Sequence, residues 1–488
     1  MTEPNEATPL APKARPTPAA LSCTFLVTIS ALRGMNVYAW NFSGDIYSTI
    51  VDVTGWGSAT VSHAPILLEL GIMCACLLVS PWSDSIGMSG RRRLAMASAV
   101  LWSVSLCVTA LAQDDGSVAG FLAPQFFGGF FSALFGTLGT RAVSDVAVQD
   151  PQTRTTAMSM TGSANGVFII LAPLASSLFV TVFVAWQAAY TGSAVFGFIL
   201  TGVVWAFFPG APTDGPVAAL ALEEMVALSS ASASGGPCEV VLRQCRAYPT
   251  LLSDRTWLKY GFTDLFAHGP IFVWAWGGSY LLTLQMGYST IEAGYIYSGA
   301  MGVPITIGTL VTPWLYGKLG ERGTYVWSSV GVIACAIALT ALGIAVYELS
   351  DSDSDSDDHG LINALNISFI VVVALMFTAW GALITTIYDL APREHPEMAA
   401  SAIGLIYFVQ GIGSIIVAFL FNGELFEITA WVSGTVTLIC SVTGLAIFFL
   451  IEIIPLPSDP PLSTGKTMEH LEHLETMGET QAYGRIID

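Results

Sequence analysis

Long apolar runs separated by short polar breaks dominate the chain. They fall near residues 21–43, 60–80, 94–112, 118–141, 157–180 and 185–208, and again near 258–284, 290–315, 324–347, 362–389, 399–422 and 430–454. Each run is long enough to cross a hydrocarbon core of roughly 30 Å at about 1.5 Å per helical residue. The pattern therefore predicts twelve membrane-spanning helices, grouped six and six around a polar stretch over 209–257. That stretch holds Pro209, Pro212, Pro216 and the Ser/Ala/Gly run 229–236, so it reads as a linker with one short surface helix near Val217–Leu228. Residues 1–20 and 455–488 read as polar tails. The first apolar run has no small-residue cleavage site after it, so it is expected to be a retained helix.

Composition agrees with this and removes whole classes of function. Of 488 residues, 53% are hydrophobic and only 11% charged, against about 25% charged in soluble domains. A soluble enzyme is excluded. The net charge of −19 leaves no electrostatic footprint for nucleic acid. The eight cysteines follow neither a disulfide framework nor zinc-site spacing.

Basic residues fix an orientation, because Lys and Arg are retained on the cytoplasmic side of short loops. With the N-terminus inside, sixteen of the seventeen basic residues fall on one side, and the opposite loops carry only acidic ones, from Asp45 to Glu427. Both termini are thus expected in the cytoplasm. The default home is the plasma membrane, with an endolysosomal membrane the alternative. The run 350–358 alternates Ser and Asp, reading as a solvated loop.

A charge inside a span costs at least about 2.5–3.5 kcal/mol, so each one needs a partner, a cavity or a task. Arg33 and Glu69 lie at one depth in helices 1 and 2, which predicts either an ion pair or a site where an anionic solute competes for the arginine. On helix 7, Asp264 and His268 stand i, i+4 on one face, a pair able to hold and move a proton. Aromatic side chains at Tyr38 and Trp40, at Phe272, Trp274, Trp276 and Tyr280, and at Trp380 and Tyr388 suit either a solute-facing wall or helix packing. The candidate solute contacts are accordingly Arg33, Tyr38, Glu69, Trp274, Tyr280 and Trp380; the candidate proton carriers are Glu69, Asp264 and His268. No nucleotide loop, hydrolase motif or carboxylate cluster at metal spacing occurs in the spans, so no cofactor or metal is expected.

After helix 2 the sequence reads Ser80-Pro-Trp-Ser-Asp84-Ser-Ile-Gly87-Met-Ser-Gly90-Arg91-Arg92-Arg93. This resembles the G-x-x-x-D-R-x-G-R-R loop of the major facilitator superfamily, and the resemblance extends over about 21–454. It implies two pseudo-symmetric six-helix bundles working by alternating access, with Asp84, Arg91, Arg92 and Arg93 as a gating latch. Arg141 and Arg154 are similar to the charged helix 4 to 5 connection of that family. The second-half copy, Gly317-Lys318-Leu-Gly320-Glu321-Arg322, lacks the aspartate. Helix 5 reads Ala172-Pro173-Leu-Ala-Ser-Ser, without the glycines of the antiporter signature G-P-x-x-G-G. Ala31-Leu-Arg33 with Asn36, and Asp389-Leu-Ala-Pro-Arg393, are similar to the anion:cation symporter branch. The resemblance implies a secondary transporter of a small polar or anionic solute, coupled to protons or another ion; a monomer is expected, with an oligomer the alternative. A facilitative carrier or exporter, and a non-transporting receptor or scaffold using the linker and tail, are the alternatives.

Overall fold

The computed structural model describes residues 23–42, 46–112, 118–146, 151–183, 185–208, 247–268, 274, 278, 281–282, 286–351, 359–420 and 430–454. Outside them lie the expected tails, the helix near Val217–Leu228, Tyr280, Trp276, Phe272 and nearly all of the Ser/Asp run.

The first half consists of α1 (Cys23–Asn41), α2 (His63–Leu78, continued by Ser80–Ser85), α3 (Met88–Ala110), α4 (Val118–Val146), α5 (Pro151–Phe183) and α6 (Trp186–Phe207). In the second half, α7 opens as Arg255–Trp257 and one π-helical turn, Leu258–Phe262. Next comes Thr290–Asp351, which is two helices: α8 (290–319) and α9 (321–351) meet at Gly320, whose φ of 69° breaks the helical path where an L side chain would be strained. The last three are α10 (His359–Leu390), α11 (Ala399–Leu420) and α12 (Ala430–Ile453). Nine segments among the described residues are long and apolar enough to span a membrane. One of these is the α8–α9 pair, so the nine hold ten helices; α1, and the part of α7 that is described, stand beside them.

Proline at the start of α5 costs no hydrogen bond, because the first helical amides have no partner in the helix. The helices run further than the apolar runs alone suggest: α4 continues past Arg141 and Asp145, and α5 begins before Arg154. The charged residues expected in the loop between helices 4 and 5 therefore stand on helix ends, which carries their side chains into the bundle interface. Apolar side chains also cover the outside. Val100, Leu101, Val104 and Val108 on α3, and Phe198, Ile199 and Trp205 on α6, are exposed. Such stripes are a liability in water and match a lipid surround.

Packing within the first half joins α1 to α4 and α5, α2 to α4, and α3 to α4 and α6. The halves meet along two seams, α5 against α8 and α2 against α11. The α5–α8 seam is backbone on backbone. A Cβ at Gly166 would stand 2.1 Å from Thr306 Oγ1 and 2.4 Å from the Gly302 carbonyl, so only glycine permits the approach, as in small-residue helix contacts of other membrane bundles. Gly166→Ala should therefore wedge α5 from α8. The expected cost is about 1–3 kcal/mol, read as a lower midpoint of thermal unfolding for the purified protein in detergent, with Gly299→Ala, which meets nothing within 4 Å, as the neutral control.

Candidate functional site

A cavity of about 680 Å³ lies between the halves. Four helices line it by one face each. From α1 come Arg33, Asn36, Val37, Trp40 and Asn41; from α5, Gly162, Asn165 and Ile169; from α8, Met301, Ile305 and Thr309; and from α10, Trp380, Ile384, Thr385 and Tyr388. These are i, i+3/4, i+7/8 spacings, one side of a helix in each case. His268 of α7 and Tyr407 of α11 close the remaining walls.

Arg33 is the one arginine or lysine among these lining residues, and no lining residue is acidic. Its guanidinium, buried at 4% exposure, is held by neutral groups of α5: Nη1 donates to Thr161 Oγ1 at 2.7 Å and to the Met158 carbonyl at 3.2 Å, with the Met158 sulfur at 3.7 Å. These bonds orient the cation without neutralising it. Beside it, the amides of Asn36, Asn41 and Asn165 each keep an oxygen with no partner, while Asn36 Nδ2 donates to Tyr407 Oη at 3.4 Å. A fixed positive charge next to unpaired amide oxygens, which accept hydrogen bonds, and under the rings of Trp380, Tyr388 and Tyr407, can take an anion that also carries hydrogen-bond donors.

The expected dyad is formed. His268 Nδ1 and Asp264 Oδ1 are 2.7 Å apart, both side chains are buried, and the second carboxylate oxygen of Asp264 has no partner. His268 faces the cavity, its ring 5.0 Å edge-on from Trp380 and 6.3 Å from Tyr388 in a stacked pose. Trp380 is fixed in turn by its indole N–H, which donates to the Ala267 carbonyl at 3.2 Å.

Other expectations are corrected. Arg33 and Glu69 form no ion pair: α1 packs on α4 and α5, whereas α2 packs on α4 and α11, so equal depth does not make the two residues neighbours. Glu69 is buried outside the cavity wall, with neither carboxylate oxygen hydrogen-bonded. Tyr38 points into the first bundle, its hydroxyl 2.9 Å from Ser193 Oγ and its ring stacked on Phe42. It stands five residues after Arg33, about 140° round the helix at 3.6 residues per turn, and so misses the cavity. Trp274 lines a separate apolar pocket of about 320 Å³ with Phe369, Phe377 and Tyr297. Tyr280 lies outside the described residues.

The residues expected to gate the carrier gather at one end of the molecule. Asp84 reaches across to the start of α11. One oxygen accepts from the Ala400 amide at 3.0 Å; the other accepts from the Ser401 amide at 2.8 Å and hydroxyl at 2.6 Å. An acidic acceptor there satisfies free amides and favours the positive end of the helix dipole. Arg141 stands 3.6 Å from Asp84, 3.0 Å from Asp145, and donates to the Pro396 carbonyl. Arg91 pairs with Asp145 and donates to the Ser83 carbonyl at 2.9 Å, Arg92 donates to the Trp205 carbonyl, and Arg93 is exposed. A second clasp joins α5 to α10: Arg154 lies 3.3 Å from Asp389, which also accepts from Thr155 at 2.8 Å and pairs with Arg393 at 2.8 Å. In the second-half copy of the loop, Glu321 pairs with Arg393, and Arg322 grips Glu452 through two bonds of 2.8 and 3.0 Å. The Arg154–Asp389 clasp escapes a reading along the sequence, because its members stand on different halves of the chain.

Two bundles clasped at one end around a central cavity that holds a buried arginine are the architecture of a membrane carrier. The sequence matches the Major Facilitator Superfamily over residues 27–418, so the chain belongs to that family and is a membrane transporter. It is similar, at 23% identity over 382 residues covering 78% of this chain and 83% of the relative, to the uncharacterized MFS-type transporter YdgK of Bacillus subtilis (strain 168). Its fold is similar to the proton:xylose symporter XylE bound to 6-bromo-6-deoxy-D-glucose. The TM-score is 0.63 with 14% identity, covering 89% of this chain and 96% of that one.

The clasps differ in burial, and this orders their mutational costs. Asp389→Asn strips a charge from a site of 0% exposure and leaves Arg154 buried beside a neutral amide, which should cost about 3–5 kcal/mol. Asp84→Ala removes a helix cap worth about 0.5–2 kcal/mol. Thermal unfolding of the two purified variants should therefore show the larger drop for Asp389→Asn.

Proposed function

We propose that this transporter carries a small organic anion with hydrogen-bonding groups, by alternating access and in symport with protons. The observation that carries the proposal is Arg33: a cation in the cavity wall, oriented by neutral groups, with no acidic residue among the lining residues described. The anion supplies the missing charge, the amides of Asn36, Asn41 and Asn165 bind its polar groups, and Trp380, Tyr388 and Tyr407 flank its body. The matches of Ala31-Leu-Arg33, Asn36 and Asp389–Arg393 to the organic-anion branch support the same reading.

Protons enter through the Asp264–His268 dyad. A proton on the dyad removes one unit of negative charge beside the cavity and strengthens anion binding; its loss restores that charge and favours release. Anion and proton thus promote each other's binding, the reciprocity that coupling requires. Proton coupling on this fold has a precedent in the proton:xylose symporter. The face bearing the clasps is cytoplasmic by its basic residues, both termini lie on that side, the working unit is a monomer, and the membrane is the plasma membrane.

Uptake into proteoliposomes of labelled organic anions, amino acids, sugars and nucleosides, with and without an inward proton gradient, tests this. Anions should accumulate when the gradient is imposed. Arg33→Ala should abolish accumulation, by 100-fold or about 2.7 kcal/mol in kcat/KM if one charge-assisted contact is lost. His268→Gln should leave equilibration but remove the response to the gradient. Accumulation of a neutral solute, or full activity of Arg33→Ala, would refute the proposal. Equilibration of the anion without response to pH would instead favour a facilitative carrier.

A further inference from the structure

Glu69 is a buried carboxyl that neither the solute site nor the clasps use. It is 1% exposed, and both oxygens lack a hydrogen-bond partner. It sits on the α2–α11 seam. The residues of α2 that meet this seam, Glu69, Met73, Cys76 and Ser80, recur at i, i+4, i+7 and i+11, and two glycines of α11 form the notches. A Cβ at Gly411 would lie 2.6 Å from Met73 and 3.4 Å from Glu69, and one at Gly404 would lie 2.4 Å from Ser80.

Among the described residues no counter-charge pairs with this carboxyl. The two spanning helices packed on α2 are α4 and α11. Over 118–140 of α4 there is no charged residue, and the first one, Arg141, is engaged by Asp84 and Asp145. Over 399–420 of α11 there is none either, and Tyr407 is the titratable side chain. On α2 itself, Cys74 and Cys76 are thiols and His63 is exposed at the far end. Arg33 is held on α5. A charge sealed in apolar surroundings with no partner costs several kcal/mol, whereas the neutral acid costs far less.

We propose that Glu69 is a second proton-binding site, separate from the solute cavity, that interlocks protonation with closure of the α2–α11 seam. With its proton, Glu69 fits the notch at Gly411 and the clasped end stays shut. When the seam parts and water reaches the carboxyl, the proton leaves, and the charge then opposes re-closure until a proton returns. The proton is released to and regained from the side that opens, so the site moves no net charge and instead makes closure of the seam depend on the pH of that side. The inference rests on alternating access between the halves and is independent of which solute is carried.

The test follows the conformation directly, so it needs no solute. Spin labels at Arg93→Cys and Lys318→Cys, exposed on the clasped face of opposite halves, are placed in a background without other cysteines, and the label-to-label distance is measured in nanodiscs across pH. Acid should enrich the short-distance, closed population, and Glu69→Gln, which mimics the neutral acid, should hold it closed at every pH. His268→Gln should keep the pH response. If Glu69→Gln retains the wild-type profile, or the wild type has none, the proposal is overturned. Should Glu69→Gln fail to fold, a hydrophobic carbodiimide, which reacts only with a protonated carboxyl, replaces it. Acid-dependent modification at Glu69, mapped by mass spectrometry and trapping the closed state, supports the interlock; a Glu69 unreactive at all pH overturns it. Loss of the pH response in His268→Gln but not in Glu69→Gln would overturn the interlock and leave the solute-site reading intact. Absence of anion uptake with a Glu69-dependent profile would do the reverse.

Discussion

A guanidinium at mid-membrane cannot shed its proton, so its charge must be answered by something. At Arg33 the answer within the protein is partial: one threonine hydroxyl, one carbonyl and a sulfur fix its direction and leave its charge. Everything around the cavity is arranged about that residue. The amides sit beside it on the same two helices, the rings stand opposite on α10 and α11, and the titratable dyad is on α7. A site with one uncancelled charge has a strong preference for the sign of its guest and a weaker one for its shape, because the charge is felt over a longer range than any single contact.

The charges away from the cavity follow a different rule. Asp84, Asp145 and Asp389 each meet an arginine or a helix N-terminus, and these pairs cluster where the two halves touch. Ion pairs of this kind link helix ends where the halves meet, and the desolvation of both partners keeps their net energies small. The glycine seams complete the arrangement, allowing α5–α8 and α2–α11 to close to backbone contact.

Much of this was readable in advance. Span number followed from apolar run length, and the contact of Asp84 with the second half from the loop after helix 2, whereas Arg91 and Arg92 bond within the first half and Arg93 is exposed. The face of each helix was readable too: the stripe Arg33, Asn36, Val37, Trp40 carries its own periodicity, and using it would have excluded Tyr38 and promoted Asn36. What the sequence does not contain is which helix stands next to which. Placing Glu69 opposite Arg33 assumed that helices adjacent in the chain are adjacent in space, whereas α1 and α2 turn to different partners. The Arg154–Asp389 clasp, spanning 235 residues, was hidden for the same reason. The extension of α4 and α5 beyond the apolar runs is a further case, since charged residues can stay helical where they find partners across the interface.

Solute charge is the point on which the account turns, and binding of matched pairs tests it without any assumption about coupling. Thermal stabilisation of the purified transporter would be compared for organic acids and their neutral amides, in wild type and in Arg33→Gln. The account predicts that an acid raises the unfolding midpoint of the wild type, that its amide does not, and that Arg33→Gln loses the difference. Equal stabilisation by acid and amide, or an acid response that survives in Arg33→Gln, would contradict it.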